Sequence, residues 1–110
     1  MENAHPTKAL RIVVSAGFSG EVMEIARAAG AKGATIMNAR GEGVMHRSIM
    51  GVTVDSEKEI LLMLMDEETA ERVMAAVKEK AGIHTPAKSI CFTMPVERST
   101  VINQFENETD

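Results

Sequence analysis

The chain has 110 residues, of which 45% are hydrophobic and 25% are charged, a balance typical of one globular domain. Its net charge of −4 and its three aromatic residues, all Phe, argue against nucleic-acid binding, which needs a basic surface and exposed rings. The longest clean apolar run, Ile60 to Met65, is far shorter than the roughly 20 residues that span a bilayer. The single cysteine, Cys91, has no internal disulfide partner, and no signal-peptide pattern is present. We therefore expect a cytoplasmic protein.

The first half of the chain predicts a strand, a helix and a second strand. Leu10 to Ser15 is short and rich in β-branched residues, which is typical of a strand. Ser19 is placed to cap a helix, and Gly30 is placed to end it in a left-handed conformation. Residues 34–39 predict the second strand. The helix carries apolar residues at the spacing of one buried stripe: Val22, Ile25, Ala26 and Ala29.

The middle of the chain has no clear hydrophobic period. Arg40 to Gly51 is rich in glycine and basic residues, so we predict a loop there, with room for ragged strand ends. Gly51 to Val54 predicts a short extended arm, and Asp55 to Lys58 predicts a turn.

The second half repeats the plan of the first. Glu59 to Met65 is the strongest strand pattern in the chain. Asp66 is placed to cap a helix over 67–81, and Gly82 is placed to end it. Residues 89–94 predict the fourth strand. The buried stripe of the second helix is Ala70, Val73, Met74 and Val77.

Strand–helix–strand therefore occurs twice, which predicts an α+β fold of the ferredoxin-like class. This is a split βαβ-βαβ sandwich with an antiparallel sheet and two helices on one face. We expect one domain over residues 1–110, with a folded body at 8–100. The tail at 103–110 carries three acids and no base, which predicts disorder.

One strand departs from the pattern of such a sandwich. A sheet that is covered on one face alternates apolar and polar residues, whereas Ile60 to Met65 is apolar throughout. About three of these side chains therefore lie on each face. The two predicted helices cover only one face, so we predict that copies of the chain associate through the other.

Two stretches of the chain resemble those of a known family and occur in the same order and at similar spacing as in that family. They are GATIMNARGEG (Gly33 to Gly43) and, after the second helix, GIHTPAKSICF (Gly82 to Phe92). With the elements around them they resemble the PII nitrogen-regulatory signalling family over most of residues 8–100. The residues that fall on the family's motif positions are Thr35, Gly41, Gly43 and Lys88.

The resemblance implies an assembly, a ligand and a mode of action. Members of the family are trimers of ferredoxin-like subunits whose sheets face one another around the threefold axis. They bind ATP or ADP in clefts between subunits, so an adenine nucleotide (ATP, ADP or AMP) is the implied ligand. A long loop, the T-loop, docks on target proteins, and its equivalent here is 40–54. The implied function is regulation of a partner protein, such as a membrane transporter.

The resemblance also implies roles for individual residues of the nucleotide site. Thr35 would contact the adenine end, while Gly41 and Gly43 would let the backbone approach the nucleotide closely. Lys88 would meet the phosphates, although a lone loop lysine is also a common solvated residue. Arg98 lies where the family places a phosphate-binding arginine after the last strand. Arg40 adds a loop cation, which a phosphate ligand requires because the chain has no basic excess.

Four residues of the loop are candidates for contact with a partner protein. Met45 and Met50 offer an adaptable apolar surface. His46 and Arg47 either contact the partner or keep the loop solvated.

The chain departs from the family pattern at three places. Where members have a glycine-rich run before the phosphate lysine, this chain has HTPAK. Where they have an arginine and a metal-binding glutamine, it has Val44 and Met45, which argues against a magnesium–2-oxoglutarate site. The loop is short and the chain contains no tyrosine, so modification by uridylylation is not expected. The resemblance is thus to a divergent, PII-like protein.

Other functions compete with nucleotide sensing. No nucleophile–base pair or HExxH motif is present, so we predict no enzymatic activity. A small-ligand module of the amino-acid-binding type would use the same fold with ligands at a dimer interface. A metal-binding trimer would use His5, His46 and His84, although no two of them have a ligand spacing; we predict no metal site. Cys91 is predicted to be a small core residue.

Overall fold

Four long strands and two helices form the body of the structure, a computed structural model that describes residues 7–41, 47–49, 52–54 and 56–100. In chain order the elements are β1 (Thr7–Ser15), α1 (Ser19–Ala28), β2 (Thr35–Gly41), β3 (Arg47–Ile49), β4 (Val52–Val54), β5 (Ser56–Asp66), α2 (Glu67–Ala81) and β6 (Ile90–Pro95). The main sheet has the order β2-β5-β1-β6, and every neighbouring pair is antiparallel. This arrangement confirms the predicted ferredoxin-like fold.

One face of the sheet packs against both helices and forms the core. β1 turns Leu10, Ile12 and Val14 toward the helices, and all three are fully buried. In β5, Leu61 pairs with Ile12 and Met63 pairs with Leu10, so their buried side chains extend the same layer. Each such burial stabilises the fold by ~2 kcal/mol. The helices contribute the buried residues Val22, Met23 and Ala26 from α1, and Ala70, Val73, Val77 and Ala81 from α2.

The two helices begin in different ways. Asp66 caps α2 as predicted, because its Oδ1 accepts a hydrogen bond from the backbone N–H of Thr69 at 3.1 Å. The predicted cap of α1, Ser19, is wrong. Phe18 is the N-cap and its carbonyl accepts from the N–H of Val22, with no side-chain cap. Ser19 is already the first helical residue, one position past the place from which a hydroxyl caps a helix.

The segment between β2 and β5 contains strands where a loop was expected. β3 and β4 form an antiparallel hairpin in which Arg47 pairs with Val54. The loop predicted over 40–51 thus contains the end of β2 and all of β3, which is more strand than the ragged ends expected there. The predicted extended arm is a paired strand over Val52–Val54. A hairpin of two short strands leaves little sequence period to detect.

The turn predicted over 55–58 is also wrong, because β5 begins at Ser56. The polar residues at the start of β5 extend its antiparallel pairing with the end of β2: Arg40 pairs with Glu57, and Gly41 pairs with Ser56. Cross-strand hydrogen bonding here overrides a sequence that is locally typical of a turn.

The sheet face opposite the helices, which we call the open face, is largely apolar, as predicted. Leu61 and Met63 of β5 are buried under the helices, whereas their neighbours Ile60 and Leu62 lie half-buried on the open face. Apolar residues of the open face are Val13, Met37, Ile60, Leu62, Leu64, Ile90, Phe92 and Met94. Met37 is 36%, Phe92 39% and Ile90 55% exposed. A largely apolar exposed surface of this kind is typical of an interaction site.

β5 passes into α2 without an intervening loop. Asp66 is the last residue of the strand and the N-cap of the helix, and Glu67 is the first helical residue. The backbone of Asp66 is still extended, with φ −73 and ψ 163.

The two glycines that end the helices serve different purposes. Gly30 has φ +118, the left-handed conformation predicted for it. Gly82 is not left-handed, with φ −71 and ψ −169. A Cβ at Gly82 would instead collide with the carbonyl oxygen of Lys78, so glycine is needed there for a close backbone approach.

We expect Gly82→Ala to lower the free energy of unfolding by roughly 1–3 kcal/mol, because the new methyl group must displace the backbone of α2. Gly33→Ala is the matched control, since a Cβ there meets nothing within 4 Å. The control should leave stability unchanged or raise it by up to about 1 kcal/mol. Urea unfolding at one protein concentration measures both, and equal effects of the two substitutions would contradict the collision.

Candidate functional site

A polar cavity of about 420 Å³ lies at one end of the sheet, where β2 ends and β5 begins. Its position follows from the register: Arg40 pairs with Glu57, and Asn38 pairs with Glu59. The strands extend here beyond the buried part of the sheet, so polar side chains replace the apolar layer. The cavity is lined by Ala16, Asn38, Ala39, Arg40, Glu57, Lys58 and Glu59.

The cavity contains charges of both signs. Arg40 and Lys58 supply two cations, and Glu57 and Glu59 supply two carboxylates. The Glu59 carboxylate accepts the backbone N–H of Gly17 at 2.9 Å, which holds the turn before α1 against the cavity wall. Guanidinium and ammonium groups at a cleft of this size suit an anionic ligand with a polar body.

Lys88 lies in a loop that is tightly hydrogen-bonded to itself and to α2. The Lys88 N–H donates to the Thr85 carbonyl at 3.1 Å, and the Ser89 N–H donates to the Ala81 carbonyl at 3.0 Å. The Ser89 hydroxyl donates to the same Ala81 oxygen at 2.6 Å. Lys88 itself has φ 48, a left-handed conformation that is uncommon for a residue with a side chain and is typical of functional loops.

Backbone hydrogen bonds join this loop to the cavity. The N–H of Ser15, the last residue of β1, donates to the Ala87 carbonyl at 2.9 Å. The next N–H, that of Ala16, donates to the carbonyl of Glu57 at 3.0 Å. Two consecutive residues therefore bridge the lysine loop and the cavity wall, and the exposed Lys88 and Arg40 belong to the same end of the sheet.

Two other predicted site residues lie elsewhere in the subunit. Thr35 begins β2 and pairs with Leu62 in the middle of the sheet, about 17 Å along the strand from Arg40 at 3.4 Å per residue. Arg98 follows β6, whose last residue Pro95 pairs with Lys8 at the opposite end of β1. One copy of the chain thus brings together Arg40, Gly41 and Lys88 but not Thr35 or Arg98.

The remaining predicted residues are described only in part. Arg47 begins β3, where its backbone pairs with Val54. The others lie outside the described residues: Gly43, Met45, His46 and Met50. The tail at 103–110 also lies outside them.

Sequence reasoning missed four polar residues of the cavity: Asn38, Glu57, Lys58 and Glu59. Glu57 and Lys58 were assigned to a turn, and nothing in their local sequence indicates that they face β2. The pairing of β5 with β2 brings these residues together, and pairing between distant segments has no short-range signature.

Comparison with known proteins places the chain in a family of regulatory proteins. The family model for nitrogen regulatory protein P-II matches residues 7–106, so the chain belongs to this family. No curated protein sequence matches the chain.

Solved structures of PII-type proteins share the fold. A PII-like signalling protein from Thermus thermophilus is similar over 90% of this chain and 95% of its own, with 28% sequence identity and a TM-score of 0.68. GlnK from B. subtilis is similar over 88% of this chain and 90% of its own, with 14% identity and a TM-score of 0.68. A structure of the same GlnK in complex with ATP matches at 13% identity, covering 90% and 91% of the two chains, with a TM-score of 0.66.

The described part of the chain also bears on two other features, a metal-ligand cluster and a membrane-spanning helix. Among residues 7–41, 47–49, 52–54 and 56–100, no three His, Cys, Asp or Glu side chains come together as metal ligands; His5 and His46 lie outside these ranges. Neither of the two described helices, α1 and α2, combines the length and the hydrophobicity that a membrane span requires.

Cys91 lies against the core, in a second cavity of about 390 Å³ between α2 and β6. Burial raises the pKa of its thiol from 9.0 to about 12. The thiol is therefore neutral over the physiological range, and because the thiolate is the reactive form, Cys91 has the properties of the predicted small core residue.

This pKa shift predicts how stability depends on pH. The unfolded thiol loses its proton above pH 9, whereas the folded thiol keeps it until about pH 12, so the stability that Cys91 contributes falls as pH rises between those values. We expect the wild type to lose more free energy of unfolding than Cys91→Ala between pH 8 and pH 10 in urea titrations. Equal losses in the two proteins would show that burial does not protect the thiol.

Proposed function

We propose that this chain is a homotrimeric PII-like signal-transduction protein that binds an adenine nucleotide between subunits and regulates a partner protein. The proposal is carried by the division of the predicted site. Arg40, Gly41 and Lys88 gather at one end of the subunit, whereas Thr35 and Arg98 lie far from them. A site that uses all five residues needs a second copy, as a cleft between subunits provides.

The open face supports the same assembly. Three of its large apolar side chains, Met37, Ile90 and Phe92, are more than one-third exposed in a single copy. When other copies cover this surface, its burial stabilises the assembly by about 25 cal/mol per Å² of apolar area removed from water. A small domain gains comparatively much from such association, because its own core is limited.

An adenine nucleotide suits the cavity on chemical grounds. Cations at Arg40, Lys58 and Lys88 would contact the phosphates, and the glycine at position 41 would allow a close backbone approach. GlnK of B. subtilis, which has the same fold, was solved with ATP. The family-specific magnesium–2-oxoglutarate site is not part of the proposal, because Val44 and Met45 replace its expected ligands.

Regulation would act through the segment that follows β2. Arg40 and Gly41 are the last residues of that strand, so a ligand in the cavity would contact the base of the segment at 42–55. A nucleotide that binds one arrangement of this segment more tightly than another shifts its population and hence its fit to a partner. The partner, such as a membrane transporter, the cytoplasmic location and the absence of enzymatic activity stay predictions.

We expect Lys88→Ala to weaken ATP binding by roughly ten- to a hundredfold, because a charge-assisted hydrogen bond contributes about 1.5–3 kcal/mol. Lys80→Ala is the matched control, since Lys80 is an exposed lysine in the last turn of α2. Isothermal titration calorimetry at fixed ionic strength measures both variants, and adenosine should show no loss with either. Equal ATP affinities for the two variants would remove Lys88 from the site, and absence of binding by the wild type would refute the nucleotide function.

We expect Leu62→Glu to convert the trimer into folded monomers, because the new carboxylate would be buried in the interface. Ala75→Glu is the control, since Ala75 is exposed on the helix layer and the same charge there should leave the trimer intact. Sedimentation velocity gives the oligomeric state, and circular dichroism confirms folding. A dimeric wild type would favour the alternative small-ligand module, and a trimer that survives Leu62→Glu would exclude the open face as the interface.

A further inference from the structure

Arg11 occupies the centre of the open face. It is the fifth of the nine residues of β1, and β1 is an inner strand of the sheet. Its cross-strand partners are Leu62 on one side and Phe92 on the other. A permanently charged guanidinium therefore lies in the middle of an apolar surface.

Part of this guanidinium is already removed from water without a hydrogen-bond partner. The Nε–H of Arg11 is buried and donates a hydrogen bond to no acceptor within the described residues. A buried donor left unpaired is costly, and covering the open face would bury the rest of the group. Once another copy covers the open face, the Arg11 guanidinium therefore requires an anionic hydrogen-bond acceptor beside it.

The open face does not supply that acceptor from its own described strands. By register its charged side chains there are Arg11, Lys58 and Asp66. Asp66 pairs with Thr7, four residues from the Arg11 register and about 13 Å along the strand at 3.3 Å per residue. Its Oδ1 accepts the Thr69 N–H at the start of α2. The centre of the face is therefore positively charged.

We propose that the Arg11 side chains of three copies together bind one inorganic oxyanion of the phosphate or sulfate class on the threefold axis. The inference rests on the trimer of the proposed function, in which the centres of the three open faces meet. Three guanidinium groups at the axis repel one another unless an anion lies between them. A tetrahedral oxyanion has its own threefold axis and presents three equivalent oxygens, each able to accept the planar donor fork of one arginine.

Thermal unfolding in chloride and in phosphate at matched ionic strength tests the binding. We expect about 5 °C of stabilisation of the wild-type trimer by phosphate at ~100 times the dissociation constant. Arg11→Met should remain trimeric and show no shift. Arg27→Met, which removes an exposed arginine of α1, should respond as the wild type does.

Crystals grown in selenate locate the anion directly. We expect one anomalous peak per trimer, on the axis and within hydrogen-bonding distance of the three Arg11 side chains. Arg11→Lys keeps the positive charge but loses the planar set of guanidinium N–H donors, so this variant should bind the anion more weakly while folding normally. This variant keeps the test valid if Arg11→Met does not fold.

Several results would overturn the proposal. A wild-type trimer without a phosphate shift or an axial peak would show that no such ion is held, and the trimer itself would stand. Equal phosphate shifts in the wild type and Arg11→Met would place the ion elsewhere. Asp66→Asn retains a helix cap and removes the carboxylate. If Arg11→Met lowered the thermal stability of the wild type but not that of Asp66→Asn, a carboxylate of a neighbouring copy would be the acceptor instead. A monomeric wild type in sedimentation would refute the proposed assembly as well.

Discussion

The two-sided apolar character of β5 is the constraint on which the rest of the structure depends. One set of its side chains, including Leu61 and Met63, completes the core beneath the helices. The alternate set, including Ile60 and Leu62, remains at the surface of a single copy. Only half of the apolar side chains of the strand are buried within the subunit, so the proposed association with other copies would use the same strand that completes the core.

Most of the fold could be predicted from the sequence because its elements carry strong local signals. The apolar run from Glu59 to Met65 correctly predicts a strand, and the apolar stripe of α2 correctly predicts a helix. Asp66 is correctly predicted as the N-cap of that helix. The errors fall where local sequence and final pairing disagree. Ser19 is a good capping residue in the wrong position, and Ser56 to Lys58 forms a strand because β2 lies beside it.

The candidate site was harder to predict than the fold. Lys88 and Arg40 are conspicuous loop cations in the sequence, but nothing in it indicates that backbone bonds at Ser15 and Ala16 join their neighbourhoods. Glu57 and Glu59 were missed because their role depends on register with β2. The division of the predicted residues between two ends of the subunit is likewise a property of three-dimensional structure. Under the proposed function this division would link nucleotide recognition to assembly, since neither end alone carries the full set.

The junction of β5 and α2 has a mechanical consequence. The strand lines the polar cavity with Glu57, near its start, and the chain becomes helical at Glu67 with no loop between the two elements. Strand and helix therefore share one segment of backbone, and a shift of the strand at the cavity would act on the start of α2 without passing through a loop. The cavity and the helix layer, which lies on the side of the sheet away from the open face, are in this way joined by a single segment of chain.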